Sequence, residues 1–494
     1  MQDLGSIVSR NAQPRAADGA QSESATPLPV VHLDGPHYLE SLVPLLTSGE
    51  RANSWRARCG WTVAGATVHP QCACAAAGPA ANLPRVAASP ALRGKSHRYM
   101  VQLMHEWGDN FVVRFPLPWS RWVFLHEPQA VQALLEDINP EKAPDFTRGL
   151  HAIAKGGLLT APWEAWLVER RRVAPTMTER YVGDLHQIFE EEAEHLWARL
   201  EDAAAGGTAI EMDSALVGTL FDVIARITIG RSLGFKADAS SQTMTSSIES
   251  ALDEAMRRIV LPPGAGWLTA LTPAGRQYRE AMGDIDALLE DCVQQRLRDR
   301  SGGPGGGGNG GRTDLLGVLL DAYDERVLTL QDVKDQLLTF LLAGHDTTAH
   351  TLTWMLWEIA SESDLQEALA EEARAALPSR SDFPRGRACL AQLELLDRVW
   401  QEALRKHPVA ATGTLRQLHT AATVPTARAP DGTYADGAAP AALLQLPAQA
   451  KISIPPFSVH RNPRHWPEPE SFDPRRFEAA AVSARHPFAF QVRV

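Results

Sequence analysis

The chain has 494 residues, of which 44% are apolar and 22% are charged, a composition typical of globular proteins with a large core. Its formal net charge of -11 argues against a general nucleic-acid binder and against electrostatic binding to anionic membranes. The five cysteines are too few and too scattered for a disulfide framework, and no apolar run approaches the roughly 18 residues that a membrane-spanning helix needs.

Residues 1–95 are predicted to be a leader, disordered or transit-like, rather than a folded domain. Segment 51–105 contains seven Lys or Arg residues and no Asp or Glu, in an Ala-rich setting. That composition resembles a plastid or mitochondrial transit segment, although such segments normally begin at residue 1. The alternative to a transit segment is a disordered leader or an error in the gene model. The predicted location is a plastid or another organelle, or otherwise the cytoplasm or the periphery of a membrane.

From residue 96 to residue 494 the patterns predict one large, mainly α domain with a small β portion. Strands are predicted in three runs, VVRFPL (112–117), WVFLHEP (122–128) and KISIPP (451–456). Helices are predicted at 127–137, 163–200, 213–230, 247–260, 275–300, 313–323, 330–362, 363–376 and 391–406. The glycine-rich segment 301–311 predicts a flexible surface linker, and the Ala-, Pro- and Gly-rich segment 418–450 predicts mostly loop.

The predicted helix 330–362 has an unusual centre. Gly344 is less favourable than Ala in a helix interior by about 1 kcal/mol, and Asp346 and Thr347 follow it where Leu-rich turns on both sides predict burial. In one interpretation the Thr hydroxyl bonds back to the carbonyl four residues earlier and the Asp faces water. In the other, the glycine lets a flat ligand approach the backbone, and the acid and the hydroxyl relay protons to it.

A second motif lies in QEALRKHP (401–408), where Glu402 and Arg405 share one face of a predicted helix and can pair. Such pairs are most often surface ion pairs that contribute little to stability. Arg476 lies in the Pro-rich segment 460–477 and is a candidate third member, which would turn the pair into a buried structural lock.

A third motif lies in KGGLLTAPWEAWLVERRRVAP (155–175). Trp166 and Arg170 are four residues apart on one helix face, so that an indole N–H lies beside a guanidinium group. That arrangement suits a ligand carboxylate. The alternative is a solvated, basic end of a helix.

Taken in this order, the motifs resemble those of the cytochrome P-450 family of haem-thiolate monooxygenases. The similarity runs from about residue 96 to residue 490 and is interrupted by the glycine-rich linker and by extra residues near 420–445. Each motif is weak alone, but four in the family's order and spacing are specific. The matches are Trp166 to Arg170 for Trp-x-x-x-Arg, AGHDTT (343–348) for Ala/Gly-Gly-x-Asp/Glu-Thr, Glu402 to Arg405 for Glu-x-x-Arg, and Pro474 to Phe477 for Pro-x-Arg-Phe.

The resemblance implies a haem b cofactor and assigns residues to it. By this resemblance Trp166, Arg170 and Arg416 would hold the haem propionates. Gly344 would widen the groove over the iron, where dioxygen binds. The family's fold, a single large and mainly α domain, agrees with the prediction from the sequence patterns.

The resemblance also implies the activity. Asp346 and Thr347 would deliver protons during oxygen activation, while Glu402, Arg405 and Arg476 would form the structural lock. The implied reaction is hydroxylation of a lipophilic small molecule with O2 and electrons from NADPH, through a reductase or a ferredoxin. No nucleic-acid partner is implied.

The last stretch, HPFAFQVRV (486–494), departs from the family pattern. The family continues with Pro-Phe-x-x-Gly-x-Arg-x-Cys-x-Gly, whose cysteine thiolate is the axial ligand of the iron. None of the five cysteines lies beyond Cys389, so no residue is assigned as a metal ligand. We therefore expect a C-terminally truncated domain that binds haem weakly and lacks thiolate-supported activity. The alternative is a shortened, non-catalytic helical scaffold or pseudoenzyme.

Overall fold

The computed structural model describes residues 30–32, 96–114, 121–233, 247–258 without 249 and 256, 266–301, 314–376, 391–427 and 442–491. In chain order its α-helices are α1 (Ser96–Trp107), α2 (Pro128–Gln132), α3 (Pro144–Ala154), α4 (Trp163–Val173), α5 (Glu179–Asp184), α6 (His186–Gly206), α7 (Met212–Ile229), α8 (Gly266–Thr269), α9 (Pro273–Ser301), α10 (Leu315–Asp324), α11 (Leu330–Ser361), α12 (Ser363–Ala376), α13 (Glu394–Lys406), α14 (Pro456–Val459) and α15 (Ala479–Ala484). Among these helices, none combines the length and the apolar character that crossing a bilayer requires.

Two sheets accompany the helices. The strands are β1 (Val30–His32), β2 (Asn110–Arg114), β3 (Arg121–Leu125), β4 (Glu141–Lys142), β5 (Leu415–Gln417), β6 (Ala422–Thr426), β7 (Ala442–Leu446) and β8 (Lys451–Ser453). The larger sheet has the order β1-β2-β3-β8-β5-β4, in which β1 is parallel to β2, β3 is parallel to β8 and the other neighbours are antiparallel. Strands β6 and β7 form a separate antiparallel pair.

Helix α11 is the axis of the helical part. It begins with a capping box, in which the Thr329 hydroxyl accepts from the backbone of Asp332 while the Asp332 carboxylate accepts from the backbone of Thr329. Its Leu-rich first half is buried against α7, α9 and α10. The shared buried cluster includes Val333, Leu337, Leu338 and Leu341 of α11 with Phe221, Ala225 and Ile229 of α7. The first half of α11 is therefore fixed by packing against three other helices, next to the polar residues at its centre.

One sequence prediction about secondary structure is wrong, and a second missed two strands. The predicted helix 163–200 is interrupted after α4 by a 3-10 turn at Ala174–Met177, because Pro175 lacks an amide proton and Thr178 caps the next helix. The segment 418–450 was predicted to be mostly loop, and it also contains the strands β6 and β7. Alternate residues of these two strands are buried, a period that is typical of a strand with one covered face.

The fold class prediction, mainly α with a small β portion, is confirmed. Residues 30–32, which the sequence analysis assigns to the leader, form strand β1, and the remainder of 1–95 lies outside the described residues. Residues 302–311 of the predicted linker also lie outside them. The leader and linker assignments stay predictions.

Candidate active site

The centre of α11 has one open face. Ala343 and Thr347 are exposed, whereas His345, between them in sequence, is buried. The Thr347 hydroxyl donates a hydrogen bond of 2.8 Å to the carbonyl oxygen of Ala343, one turn earlier. This is the local bond expected for a threonine in a helix. It leaves the hydroxyl oxygen of Thr347 on a surface that the described residues do not cover.

Gly344 has a different environment from the one that sequence reasoning assigned to it. A Cβ atom built on Gly344 would lie 2.5 Å from Cδ1 of Ile224, a residue of α7. The missing side chain therefore lets α7 approach α11 closely. The small residue on the open face beside Thr347 is Ala343, which sequence reasoning missed although its spacing of four residues from Thr347 points to it. The role of Gly344 in a haem groove stays a prediction.

Asp346 is not simply facing water. His350 Nε2 lies 3.2 Å from Asp346 Oδ1, and His350 Nδ1 lies 2.9 Å from Oδ1 of Asp213 in the first turn of α7. Burial alone would raise the pKa of the Asp346 carboxyl, but the hydrogen bond and the positive charge of His350 lower it below the usual value. Asp346 is therefore an ionised carboxylate one residue away from Thr347. Sequence reasoning missed His350 and Asp213.

Trp166 and Arg170 lie together on α4, as their spacing predicts. The Arg170 guanidinium carbon is 5.0 Å from the centroid of the Trp166 ring, which is a cation–π distance. Trp166 in turn stacks on Trp163 with 5.2 Å between ring centroids. Arg170 is exposed and makes no ion pair with the described carboxylates. The stacking orients its guanidinium while leaving the N–H groups available to an anion.

Arg416 lies on β5, opposite Lys142 of β4. Its Nη1 donates a hydrogen bond of 2.8 Å to the carbonyl oxygen of Pro140, but its Nε is buried and has no hydrogen-bond partner among the described residues. Burial lowers the pKa of this guanidinium, and no carboxylate of the described part of the chain pairs with it. A buried donor atom without a hydrogen-bond partner is costly, even in a half-buried side chain. An anionic group bound here would satisfy it.

Glu402 and Arg405 form a fully buried pair on α13. Both side chains are 0% exposed, and Arg405 donates to the two Glu402 oxygens from Nε at 2.7 Å and from Nη2 at 2.8 Å. Arg476 Nε lies 3.5 Å from Glu402 Oε1, so that it contributes its charge without a close hydrogen bond at that atom. The structure thus brings together the three residues that the sequence analysis grouped as a lock.

The pair also holds the irregular segment after α14. Arg405 donates to the backbone oxygens of His460, Pro469 and Ser471, and the Asp473 amide donates to Glu402 Oε1 at 2.9 Å. Arg405 also lies over the ring of Trp466, with 5.4 Å to its centroid. One ion pair therefore connects α13 to the backbone of a segment without regular structure.

The described residues contain one cysteine, Cys292 of α9. It is buried in the core cluster between α7 and α9, and Arg231 donates to its sulfur at 3.2 Å. Within the described ranges there is also no group of three or more His, Cys, Asp or Glu residues that could hold a metal ion. Cys292 lies in the packed core of helices and not on the open face of α11.

The family model named Cytochrome P450 matches residues 77–491, well over half of the chain. The chain belongs to the cytochrome P450 family. Similar curated proteins include cytochrome P450 4c21 of Blattella germanica, 24% identical over 379 residues that cover 75% of this chain and 71% of the relative. Cytochrome P450 4F8 of Homo sapiens is 26% identical over 416 residues, which cover 80% of this chain and 74% of the relative. Cytochrome P450 4B1 of Homo sapiens is 26% identical over 404 residues, covering 78% and 73%.

Membership in the cytochrome P450 family confirms the recognition made from four short motifs, and with it the haem cofactor and haem-dependent monooxygenase activity in general. The family match begins at residue 77, within the segment that the sequence analysis assigns to the leader. The unused donor of Arg416 and the oriented guanidinium of Arg170 fit the two carboxylates of a haem. The assignment of these two arginines to the haem propionates stays a prediction, and the one cysteine among the described residues, Cys292, lies in the packed core.

Proposed function

We propose that this cytochrome P450 chain carries the machinery to hydroxylate a lipophilic small molecule with O2, using electrons from NADPH that arrive through a reductase or a ferredoxin. The observation that supports it most is the open face of α11, where the Thr347 hydroxyl lies one residue from the ionised Asp346. A hydroxyl and a carboxylate at the centre of an otherwise Leu-rich helix suit proton transfer better than packing. Apolar residues in the segments near 140–160, 255–272 and 409–416 favour a lipophilic substrate.

Haem, when bound, supplies the iron at which dioxygen is activated for insertion into a C–H bond. Arg416 would donate from Nε, and Arg170 from the guanidinium stacked on Trp166, to the two propionates. A charge-assisted hydrogen bond contributes about 1.5–3 kcal/mol. Both contacts would orient the macrocycle and satisfy the buried Arg416.

Thr347 and Asp346 would handle protons in this proposal. The Thr347 hydroxyl donates to the Ala343 carbonyl, so it would have to turn away from that carbonyl to pass its proton to a bound molecule, while its oxygen accepts a replacement proton. Asp346 is ionised, so it would first take up a proton from solvent and then pass it on toward Thr347. Such a relay requires a hydrogen-bond distance at each step, and because consecutive helix positions do not face each other, a water molecule would bridge Asp346 and Thr347.

No described residue is assigned to the axial position of the iron. Cys292 is the cysteine whose environment the structure describes, and its burial between helices and its contact with Arg231 exclude it as a ligand. We therefore propose that the described residues of this chain do not provide a thiolate to the iron. The electron donation that favours O–O cleavage depends on that thiolate.

Two chains test the proposal: residues 1–494, and the same residues extended by the haem loop of a family member. Each is mixed with haem, reduced and exposed to carbon monoxide, and then supplied with NADPH, a reductase and lipophilic substrates. We expect the red-shifted, thiolate-type absorption band and hydroxylated product only from the extended chain. An extended chain that binds haem and forms no product would favour the non-catalytic scaffold, and a thiolate-type band from residues 1–494 would contradict the axial assignment.

The propionate assignment has a separate test. In the extended chain, Arg416→Gln or Arg170→Gln should weaken haem binding by about 10- to 100-fold, since that is the affinity equivalent of one charge-assisted hydrogen bond. Arg398→Gln is the matched control, because Arg398 is a surface residue paired with Glu478 at 3.1 Å. Equal haem affinities for Arg416→Gln and Arg398→Gln would refute the assignment.

A further inference from the structure

His350 connects two helices through two carboxylates. Its Nδ1 lies 2.9 Å from Asp213 Oδ1 on α7, and its Nε2 lies 3.2 Å from Asp346 Oδ1 on α11, the helix that carries His350. Thr353 also donates to Asp213 Oδ1, at 2.9 Å. Asp213 and His350 are 137 residues apart in the sequence, so this bridge exists only because α7 packs along α11.

The two contacts define the protonation state of the imidazole. Both ring nitrogens face carboxylate oxygens, and a carboxylate can only accept a hydrogen bond, so both nitrogens must carry a proton. Burial alone would lower the pKa of His350, but the hydrogen bonds that it donates to Asp213 and Asp346, together with their negative charges, raise it to about 10. His345 is buried, burial lowers its pKa, and the charge of His350 lowers that pKa further.

The bridge is half-shielded from solvent. The side chains of His350 and Asp346 are 28% and 30% exposed, and that of Asp213 is 40% exposed. Leu216 and Val217 of α7 and Ala349 of α11 form a buried apolar cluster beside the bridge. A charge in this setting is screened by water less than a surface charge would be, so His350 can act strongly on Asp346.

We propose that His350, anchored by Asp213, is the positioning residue of this cytochrome P450 for Asp346: it keeps the carboxylate ionised and fixes its direction along α11, with Oδ1 held 3.2 Å from His350 Nε2. The inference rests on the proposed function for its catalytic meaning, since Asp346 is the acid–base group of that proposal. The acidity of Asp346 is then set by α7, through Asp213, and not by the α11 motif alone. Asp213 acts mainly through His350, and its own negative charge opposes that effect slightly by raising the pKa of the Asp346 carboxyl.

The direction in which the pKa of Asp346 changes when residue 350 is replaced gives a direct test. Without a cation at position 350, burial dominates at Asp346, so its carboxyl should take up a proton at higher pH in His350→Gln than in the unchanged chain. His350→Lys retains a positive charge and should restore much of the lower midpoint, a rescue that a merely structural role does not predict. In Asp213→Asn, the imidazole loses one of its two anions, and its titration midpoint should fall by about 1 pH unit or more.

The measurement is NMR on the 494-residue chain labelled with ¹³C in Asp carboxyl and His ring carbons, titrated with pH. Glu211→Gln is the matched control: it removes a charge two residues from Asp213, and Glu211 contacts the backbone of Ser214. We expect no change in either midpoint with this control. A His350 midpoint near 6.5 in the unchanged chain, or an Asp346 midpoint that is the same in His350→Gln and His350→Lys, would overturn the proposal.

These signals do not require haem. A failure of the proposed function appears instead in haem binding and product formation by the extended chain. The two failures are therefore separable, because the carboxyl midpoint of Asp346 reports on the His350 bridge alone.

Discussion

Replacing Glu402 by Gln should destabilise this cytochrome P450 chain by about 3–5 kcal/mol, the usual loss when one partner of a buried ion pair is removed. The Glu402 carboxylate accepts two hydrogen bonds from Arg405 and one from the Asp473 amide, and it lies 3.5 Å from Arg476. A Gln side chain keeps the shape but removes the negative charge. One of its terminal atoms becomes a donor that faces a donor of Arg405.

The magnitude follows from the burial of both partners. Glu402 and Arg405 are 0% exposed, so water cannot replace the lost charge on Arg405. The loss is a large part of the roughly 5–15 kcal/mol by which folded proteins are stable. The backbone segment 469–473 should also loosen, because Arg405 holds its carbonyl groups.

The assay is urea unfolding followed by tryptophan fluorescence, with Glu478→Gln as the matched control. Glu478 carries the same substitution in an ion pair with Arg398, but its side chain is 50% exposed, so the expected loss is at most about 1 kcal/mol. If Glu402→Gln and Glu478→Gln unfold within about 1 kcal/mol of each other, the pair does not act as a buried lock and our reasoning from burial is refuted.

Four further predictions address the helix pair and the site. Gly344→Ala should lower stability by about 1–3 kcal/mol because its Cβ would overlap Ile224, and the loss should shrink in an Ile224→Ala background, as thermal unfolding of the double mutant would show. Thr347→Ala, in the chain extended by a haem loop, should give less product and more peroxide per NADPH; an unchanged ratio speaks against the relay. Arg416→Gln should leave the haem-free chain as stable or more stable, because it removes a buried donor without a partner; a clear loss of stability in urea would mean that the donor is satisfied. The pKa of His350 is raised to about 10 in the folded chain, so the protonated imidazole stabilises the fold fully below about pH 6.5. This stabilisation is lost as the pH rises through 10. The urea midpoints of the unchanged chain and of His350→Gln should therefore converge at high pH.

Much of this fold could be predicted because the signals are local. Helix α11 begins and ends within a residue of the predicted range 330–362, since its periodicity and its Thr329 cap lie in the same stretch of chain. The end of the helix after Val173 could also have been predicted, from Pro175. The strong helical periodicity on both sides of it favoured one continuous helix instead. Strands β6 and β7 were missed because a strand pair is stabilised by its partner, and 15 residues separate Thr426 from Ala442.

The sequence by itself determined the family, the cofactor and the identity of the paired residues, because four short motifs each occur within a few residues of chain and need no partner to be recognised. Only the tertiary structure decided what those residues touch. In the structure Gly344 lies against Ile224, Ala343 lies on the open face of α11, and Asp213 contacts His350. The physical reason is that burial and charge act through space. Helices α7 and α11 pack side by side although residues 230–329 lie between them in the chain, and no local pattern encodes which of their residues come into contact.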